Sequence, residues 1–425
     1  MSVQGNNSSL LGGYRVLDLA DEKGLLCGKI MGDLGADVIK IERPRGDPAR
    51  NMGPFYKDTP DAQESLFWFY TNLNKRGITL NLETADGQDI FNRLARTAHF
   101  VIESFEPGYM AKLGLGYPDL ERVNPGIIMT SITPFGQTGP YAHYVAKDIV
   151  LMAMGGIMRL WGDPDRAPVR ISQPQASFHG SIHAVVGSLM AHYYRQSTGE
   201  GQHVDVSCQE AVVLALCYLA EYWDMLKYNY KRAGPSTARA RPAPLGTLAS
   251  QHVYACKDGF ALGYILGGAQ AGFVISSRAL TEWANSLGYA LELRDYDWTK
   301  LDTGSTPQSE LNKVQDALQI FLLTRTKAEI MDKGVRKAIQ MVPINDAKDI
   351  MESPHFKATE FFVSVEHPEL SKAITYPGSG VRVSGLPHRV RRRAPLIGEH
   401  NEEIYVGELG LPREELSRMK ANNVI

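Results

Sequence analysis

Short apolar runs that alternate with helical segments in the first 140 residues are the feature that most restricts the fold. Residues 14–19 and 37–41 are rich in β-branched and aliphatic side chains, and a helical pattern separates them. The order strand, helix, strand is typical of parallel sheets, because parallel neighbours need a crossover connection. Strand candidates at 100–103 and 126–131, with a helical spacing over 84–99, extend the series. The sequence therefore predicts a doubly wound, Rossmann-like α/β domain around a parallel sheet.

A loop-like segment at 231–244, rich in Pro, Gly, Arg and Ser, indicates a boundary between two domains. We expect a large α/β domain in residues 1–228 and a smaller α+β domain in residues 229–330. A return segment, 331–425, is expected to complete the large domain. The apolar run at 211–219, just before the boundary, predicts a buried helix.

The overall composition excludes several classes of protein. Lys and Arg number 45 against 47 Asp and Glu, so no strong field points to nucleic acid or to a membrane surface. We see no secretory leader, no apolar run that could span a bilayer, and no metal-ligand spacing among the four cysteines. A cytoplasmic protein with reduced thiols and no metal site is expected. Lys75 and Arg76 are expected to be structural side chains on a solvated edge.

Six motifs, in a fixed order along the chain, carry a resemblance to a known family. They are GADVIKIERP at 35–44, NKRGITLNL at 74–82, ESFEPG at 103–108, FGQTGPY at 135–141, TGEGQHVDVS at 198–207 and GEHNEEI at 398–404. With these motifs the chain resembles the class III CoA-transferases, the family of formyl-CoA transferase and carnitine CoA-transferase, which includes the α-methylacyl-CoA racemases. The resemblance implies an interlocked dimer of ring-like subunits, each with two domains threaded through each other. It also implies that the substrates are thioesters of coenzyme A.

The resemblance implies a set of CoA contacts. CoA carries a 3′-phosphate and a pyrophosphate, so its site needs cations and backbone donors near strand ends. Arg43 follows a predicted strand and would supply a cation, with a surface ion pair as its alternative role. Phe105 would pack on the adenine or, alternatively, in the core, while Glu83 and Glu106 add unfavourable negative charge near the phosphates. The expected contacts are Arg43, Leu80, Asn81, Ser104, Phe105, Lys147 and Asp148.

The resemblance also implies a carboxylate nucleophile. In this family it attacks the acyl-CoA thioester to give a mixed anhydride, and the released CoA thiolate then converts it into an enzyme–CoA thioester. Only Asp or Glu can form both intermediates. This chain has no Asp or Glu between Arg166 and Gly199, where the nucleophile would lie. Its usual position falls at Ala176 or at Ser177, depending on which neighbouring glycine serves as the reference.

Two nearby side chains are the remaining candidates. Gln175 is an amide and cannot form the thioester intermediate. His179 has the chemistry of a base, and packing on a helix surface is its alternative role. The loop that closes over the site in formyl-CoA transferase is glycine-rich, but the matching stretch here, 239–246, reads RARPAPLG. We therefore expect no catalytic residue in this chain.

These observations leave three hypotheses about function. In the first, the chain is a non-catalytic subunit of a heteromeric CoA-transferase, and an Asp-bearing homologous subunit joins it in a heterodimer or heterotetramer. CoA or acyl-CoA is then a substrate of the complex, and no cofactor is bound covalently. This pattern resembles the aspartate-lacking subunit of the enzymes that transfer CoA from succinyl-CoA to (R)-benzylsuccinate in anaerobic toluene degradation. The second hypothesis is a homo-oligomeric acyl-CoA isomerase or racemase with a histidine base, and the third is a non-enzymatic CoA-binding protein.

Overall fold

The computed structural model describes residues 9–240, 247–302, 305–384 and 390–425. These residues divide into two compact units. The first contains the chain up to Ile157, Ile171–Cys217 and Pro354–Ile425, and the second contains Met158–Arg170 and Tyr218–Ser353. The second unit begins before the expected boundary at 228, and it ends after the one at 330, where a late strand, Met341–Ile344, pairs within its sheet. Of the predicted lid loop, residues 241–246 lie outside the described residues.

A six-stranded parallel sheet forms the centre of the first unit. Its strands are β1 Arg15–Asp18, β2 Asp37–Glu42, β3 Lys75–Thr79, β4 Phe100–Glu103, β5 Ile128–Thr133 and β6 Gln202–Ser207. Their order in the sheet is β3-β2-β1-β4-β5-β6. The winding reverses between β1 and β4, and doubly wound sheets bind ligands beyond the carboxyl ends of the strands at such a point. The predicted doubly wound parallel sheet is confirmed.

Helices pack on this sheet in two groups. Side chains of α3 and α5 join a core cluster with strand residues such as Leu17, Ile39 and Val101. By contrast, α1 and α7 contact each other and also the strands. The helices up to residue 214 are α1 Leu25–Asp33, α2 Leu66–Thr71, α3 Ala85–Ala95, α4 Tyr109–Lys112, α5 Tyr117–Val123, α6 Asp148–Met154, α7 Ala176–Thr198 and α8 Cys208–Leu214.

The buried helix predicted over 211–219 is wrong in its extent and in its burial. Helix α8 ends at Leu214, and the chain turns at Cys217, whose φ is 54°. Leu214 is 63% exposed and Tyr218 is 57% exposed. An apolar run marks a surface that avoids water, and here the described part of the chain does not itself cover that surface.

The second unit is a smaller α+β body. Its elements in chain order are α9 Leu219–Leu226, β7 Ser236–Ala240, β8 Thr247–Gln251, β9 Val253–Cys256, β10 Gly259–Gly263, α10 Ala271–Asn285, α11 Gln308–Leu322, α12 Lys327–Lys337, β11 Met341–Ile344 and α13 Ala347–Glu352. Strands β9, β10 and β11 form an antiparallel sheet, and β7 pairs with β8. Buried side chains of the three-stranded sheet and of α10 and α11 make a separate core, which includes Trp283, Trp298 and Phe321.

The part of the return segment from residue 354 onward belongs to the first unit. It contains α14 Pro354–Ala358, β12 Phe362–His367, β13 Lys372–Pro377, a π-helical turn at Glu403–Glu408 and α15 Arg413–Ala421. Near its end it covers the free edge of β3: His400 N donates to Gly77 O at 2.9 Å, and Asn401 Oδ1 accepts from Thr79 N at 2.9 Å. Lys75 is completely buried and Arg76 is 7% exposed, so the expected solvated edge is wrong.

Six buried charges balance one another beneath β1, β2 and β3. Lys75 Nζ donates to Asp18 Oδ2 at 2.7 Å, and Lys40 Nζ lies 3.0 Å from Asp47 Oδ2. Arg50 makes a two-bond contact with Glu42, with N–O distances of 2.6 and 2.7 Å. Buried charges are tolerated when each is paired and hydrogen-bonded, and this set of three cations and three anions meets that condition. The set is Asp18, Lys40, Glu42, Asp47, Arg50 and Lys75.

Candidate active site

A cavity of about 320 Å³ lies within the first unit, lined by residues that follow β1 and β6 and by the first residues of α6, α7 and α8. Its size is at the lower end of the range for small-molecule sites, about 300 to 1,000 Å³. Met52, Phe67 and Leu151 give it an apolar wall. Its polar lining side chains are Glu22, Lys23, Lys147, Asp148, Ser177 and Cys208. An apolar wall with a few convergent polar groups is the usual form of a ligand site.

Asp148 fixes the start of α7 at this cavity. Its Oδ1 accepts hydrogen bonds from the backbone N of Gln175 and of Ala176, both at 2.7 Å. The first N–H groups of a helix have no partner within the helix, so a carboxylate here satisfies two of them and also meets the positive end of the helix dipole. Asp148, which is the first residue of α6, therefore ties the beginning of α7 to the beginning of α6.

The two positions expected for the nucleophile differ in their surroundings. Ala176 is completely buried, whereas Ser177 lines the cavity. Cys208 lines it too, and a Cβ at Gly180 would lie only 2.6 Å from Cys208 Sγ, so glycine is needed for this close approach of α7 to α8. Burial raises the pKa of the Cys208 thiol to about 12, which keeps it protonated and poorly nucleophilic near neutral pH.

The two remaining candidates stand apart from the cavity. Gln175 Nε2 donates to Gln173 O at 3.4 Å, and the backbone N of His179 donates to Gln175 O inside α7. Neither side chain is among the described residues that line the cavity. The structure therefore gives no support to the isomerase hypothesis with His179 as the base.

Tyr109, which sequence reasoning did not select, contacts Phe105 and Glu83 and is close enough to Arg43 to be affected by its charge. Its ring lies 4.6 Å from that of Phe105, and its hydroxyl donates to Glu83 Oε1 at 3.2 Å. Burial and Glu83 raise the pKa of Tyr109, while the Arg43 cation opposes the rise. Phe105, Glu83 and Arg43 follow β4, β3 and β2 respectively, so all three come from the carboxyl edge of the same parallel sheet.

The other expected contacts are used in different ways. Leu80 is 2% exposed and belongs to the core, so its side chain is not available to a ligand. Asn81 donates from Nδ2 to Asn423 O at 3.1 Å, which ties it to the C-terminal residues. Ser104 Oγ donates to Asp21 Oδ1 at 2.7 Å, across the point where the winding of the sheet reverses. Lys147, in contrast, lies at the cavity itself.

A buried carboxyl group lies beside this reversal point. Glu103, at the end of β4, is 4% exposed, and burial raises its pKa to about 7 even though Ser131 and the backbone N of Phe105 donate hydrogen bonds to it. Ser131 Oγ also lies 2.9 Å from His203 Nε2. Sequence reasoning missed Glu103, Glu22 and Lys23, although their position directly after β4 and β1 was a usable signal.

The described residues contain neither a cluster of metal ligands nor a membrane-spanning helix. No group of three or more His, Cys, Asp or Glu side chains there could hold a metal ion. Among the same residues, no helix combines the length and the apolar character needed to cross a membrane.

The model of CoA-transferase family III matches residues 11–401. The chain belongs to CoA-transferase family III. A subunit of succinyl-CoA:(R)-benzylsuccinate CoA-transferase, BbsE of Thauera aromatica, is 35% identical over 412 residues, 96% of each chain. Formyl-CoA:oxalate CoA-transferase of Streptomyces coelicolor is 33% identical, over 98% of this chain and 99% of that one. The crystal structure of a CAIB/BAIF family protein from Brucella suis matches with a TM-score of 0.78 at 27% identity, over 94% of this chain and 99% of that one.

Replacement of Asp148 by alanine tests its role at the start of α7. We expect D148A to lower the free energy of unfolding by about 1 to 2 kcal/mol, because two backbone N–H groups lose their acceptor. D148N keeps an acceptor and should lose less. Urea denaturation of the three proteins measures this. Equal losses in both variants would show that the charge, and not the hydrogen-bond acceptor, matters at this position.

Proposed function

We propose that this chain is the non-catalytic subunit of a heteromeric family III CoA-transferase, which moves CoA between succinyl-CoA and a carboxylic acid. One observation carries the proposal: at the first turn of α7 the cavity presents the hydroxyl of Ser177 instead of a carboxylate. Two carboxylates do line the cavity, but Asp148 holds the start of α7 and Glu22 is paired with Lys147. Neither is placed to alternate between an anhydride and a thioester.

In the proposed reaction, CoA is transferred from one acyl group to another. A carboxylate takes CoA from succinyl-CoA, succinate is released, and no electron or metal is required. The Thauera relative acts with succinyl-CoA and (R)-benzylsuccinate, and we propose the same pair, in anaerobic toluene degradation, for the complex that contains this chain. An apolar cavity wall formed by Met52, Phe67 and Leu151 is consistent with an acceptor that carries an apolar body.

An exposed stripe on α7 supports a partner chain. Ile182, Val186, Met190 and Tyr193 follow one another at helical spacing and are 49%, 50%, 67% and 82% exposed. Contiguous apolar side chains of this kind mark interaction surfaces in proteins. We propose that an Asp-bearing homologue covers them, in an interlocked heterodimer or heterotetramer of ring-like subunits. The catalytic carboxylate would then come from that subunit.

Reconstitution tests the proposal. The chain is purified alone and together with an Asp-bearing homologue from the same host, and transfer from succinyl-CoA to benzylsuccinate is measured for each preparation. We expect no transfer by the chain alone, transfer by the mixture, and a complex of both subunits in native mass spectrometry. An enzyme–CoA thioester trapped on this chain, or full activity of the chain alone, would overturn the proposal.

Introducing a carboxylate into the cavity should not by itself create an active chain. We expect S177D and A176D to leave the isolated chain without transferase activity, because the segment at 239–246 also differs from the glycine-rich loop of formyl-CoA transferase. The same transfer assay measures this. Recovery to within about tenfold of the rate of the reconstituted complex, a residual barrier under ~1.4 kcal/mol, would contradict the prediction.

A further inference from the structure

The four charged side chains at the cavity differ in how firmly they are held. Asp148 accepts two backbone hydrogen bonds at 2.7 Å. Lys23 is 25% exposed and forms an ion pair with Asp21, which Ser104 also binds. Asp148 cannot turn toward a ligand without losing two hydrogen bonds, and Lys23 cannot do so without losing its ion pair with Asp21, a residue outside the cavity lining.

The pair formed by Lys147 and Glu22 is different. Lys147 Nζ lies 3.2 Å from Glu22 Oε1, and the two residues come from separate parts of the lining, the residue before α6 and the loop after β1. The Lys147 side chain is 79% exposed, and in the described residues Glu22 is its only ion-pair partner. Exposed ion pairs contribute about 0 to 1 kcal/mol, so a second carboxylate can replace Glu22 at little cost.

The rest of the cavity restricts what such a carboxylate is attached to. Met52, Phe67 and Leu151 line the cavity with apolar surface. A small hydrophilic anion would gain no binding free energy from this apolar surface. A hydrocarbon skeleton that packs on the surface excludes water from it, and this burial favours binding. The combination of an available ammonium group with an apolar wall therefore fits an amphipathic ligand.

We infer that Lys147 binds a free carboxylate of a dicarboxylic substrate, or of its CoA half-thioester, by displacing Glu22, while the hydrocarbon part of that substrate lies on the wall of Met52, Phe67 and Leu151. This inference rests on the proposed function and specifies the substrate class of the same cavity. Lys147 is then a substrate-binding residue and not a contact of CoA. Glu22 acts as a competitor that keeps the cation occupied while the cavity is empty, and it disfavours ligands that lack a carboxylate at this position.

Calorimetric titration tests the inference without any turnover. The full-length chain, with whatever partner it carries, is titrated with benzylsuccinate and with 4-phenylbutan-1-ol, which keeps the aryl chain but has no carboxylate. We expect K147M to weaken benzylsuccinate binding about fivefold, and we expect E22Q to tighten it about threefold because Glu22 then no longer competes with the ligand. Binding of 4-phenylbutan-1-ol should change less than about twofold in either variant. K147R, which keeps a cation, should bind benzylsuccinate nearly as the unchanged chain does.

The outcomes separate this inference from the proposed function. If K147M leaves benzylsuccinate binding unchanged, if E22Q weakens it, or if both ligands respond equally, Lys147 does not bind the substrate carboxylate. The same conclusion follows if the unchanged chain binds neither ligand. A selective loss of CoA binding in K147M would assign the residue to the cofactor instead. None of these results alters the reconstitution test, which depends on transfer by the complex.

Discussion

K75M is expected to lower the free energy of unfolding by about 3 to 5 kcal/mol. Lys75 Nζ donates three hydrogen bonds, to Asp18 Oδ2 at 2.7 Å, Leu25 O at 2.8 Å and Asn72 Oδ1 at 2.9 Å. Both Lys75 and Asp18 are completely buried, and burial lowers the pKa of the lysine. Without the ammonium group, the balanced set of six buried charges carries one excess negative charge in a medium that solvates it poorly. Urea denaturation measures the effect.

Two control variants make this prediction specific. K112M removes an exposed lysine at the end of α4 and should change stability by less than about 0.5 kcal/mol. The double variant D18N/K75M removes both charges, so its loss should be clearly smaller than the sum of the two single losses, because the side chains are in direct contact. A loss of under 1 kcal/mol in K75M, or simple additivity in the double variant, would show that the pair is not energetically coupled.

E103Q is expected to raise the free energy of unfolding by about 1 to 3 kcal/mol near pH 8 and to change it little near pH 5. The folded pKa of Glu103 is raised to about 7 by burial, above the ordinary value of about 4.3 in an unfolded chain. Between these two values the unfolded state releases the proton and the folded state retains it, so stability falls as the pH rises. Above pH 7 Glu103 is ionised in both states, so the stability lost through its burial no longer changes with pH. Glutamine cannot ionise, so the variant escapes this cost.

The measurement is urea denaturation of the unchanged chain, E103Q and E106Q at both pH values. Glu106 lies in the same loop but is exposed, so E106Q should follow the unchanged chain throughout. At each pH the free energy of unfolding of the unchanged chain is subtracted from that of E103Q. The contributions of the other titrating groups are the same in both proteins and cancel. A gain of the same size at both pH values would assign the effect to packing rather than to ionisation.

The sequence was sufficient for four of the six strands of the parallel sheet, because these strands are short, apolar and separated by helical patterns, but β3 and β6 were not predicted. The strands predicted at 14–19, 37–41 and 100–103 contain or closely match β1, β2 and β4. The family followed from six ordered motifs, and the match over residues 11–401 confirms it. Local pattern carries this information because a strand buried on both faces needs a continuous apolar run.

Other features depend on contacts between distant residues, which a local pattern does not contain. Lys75 was expected at a surface, yet it is completely buried, with its ammonium group bonded to Asp18 and to Leu25 O. The ion pair of Glu22 with Lys147 joins residues 125 positions apart. The run at 211–219 reads as core, although its side chains at 213 and 214 are exposed. Hydrophobicity indicates that a surface avoids water, but it does not say which chain covers it.

The cover that residues 400 and 401 place over β3 has a consequence during protein synthesis. β3 leaves the ribosome roughly 300 residues before its cover does, a delay on the order of 15 to 60 seconds at the usual speed of translation. Throughout this interval the nascent chain displays an open strand edge, which is a template for pairing with neighbouring nascent chains. Chaperone capture during translation is therefore expected to matter more for the yield of this protein than for a fold whose sheet closes locally.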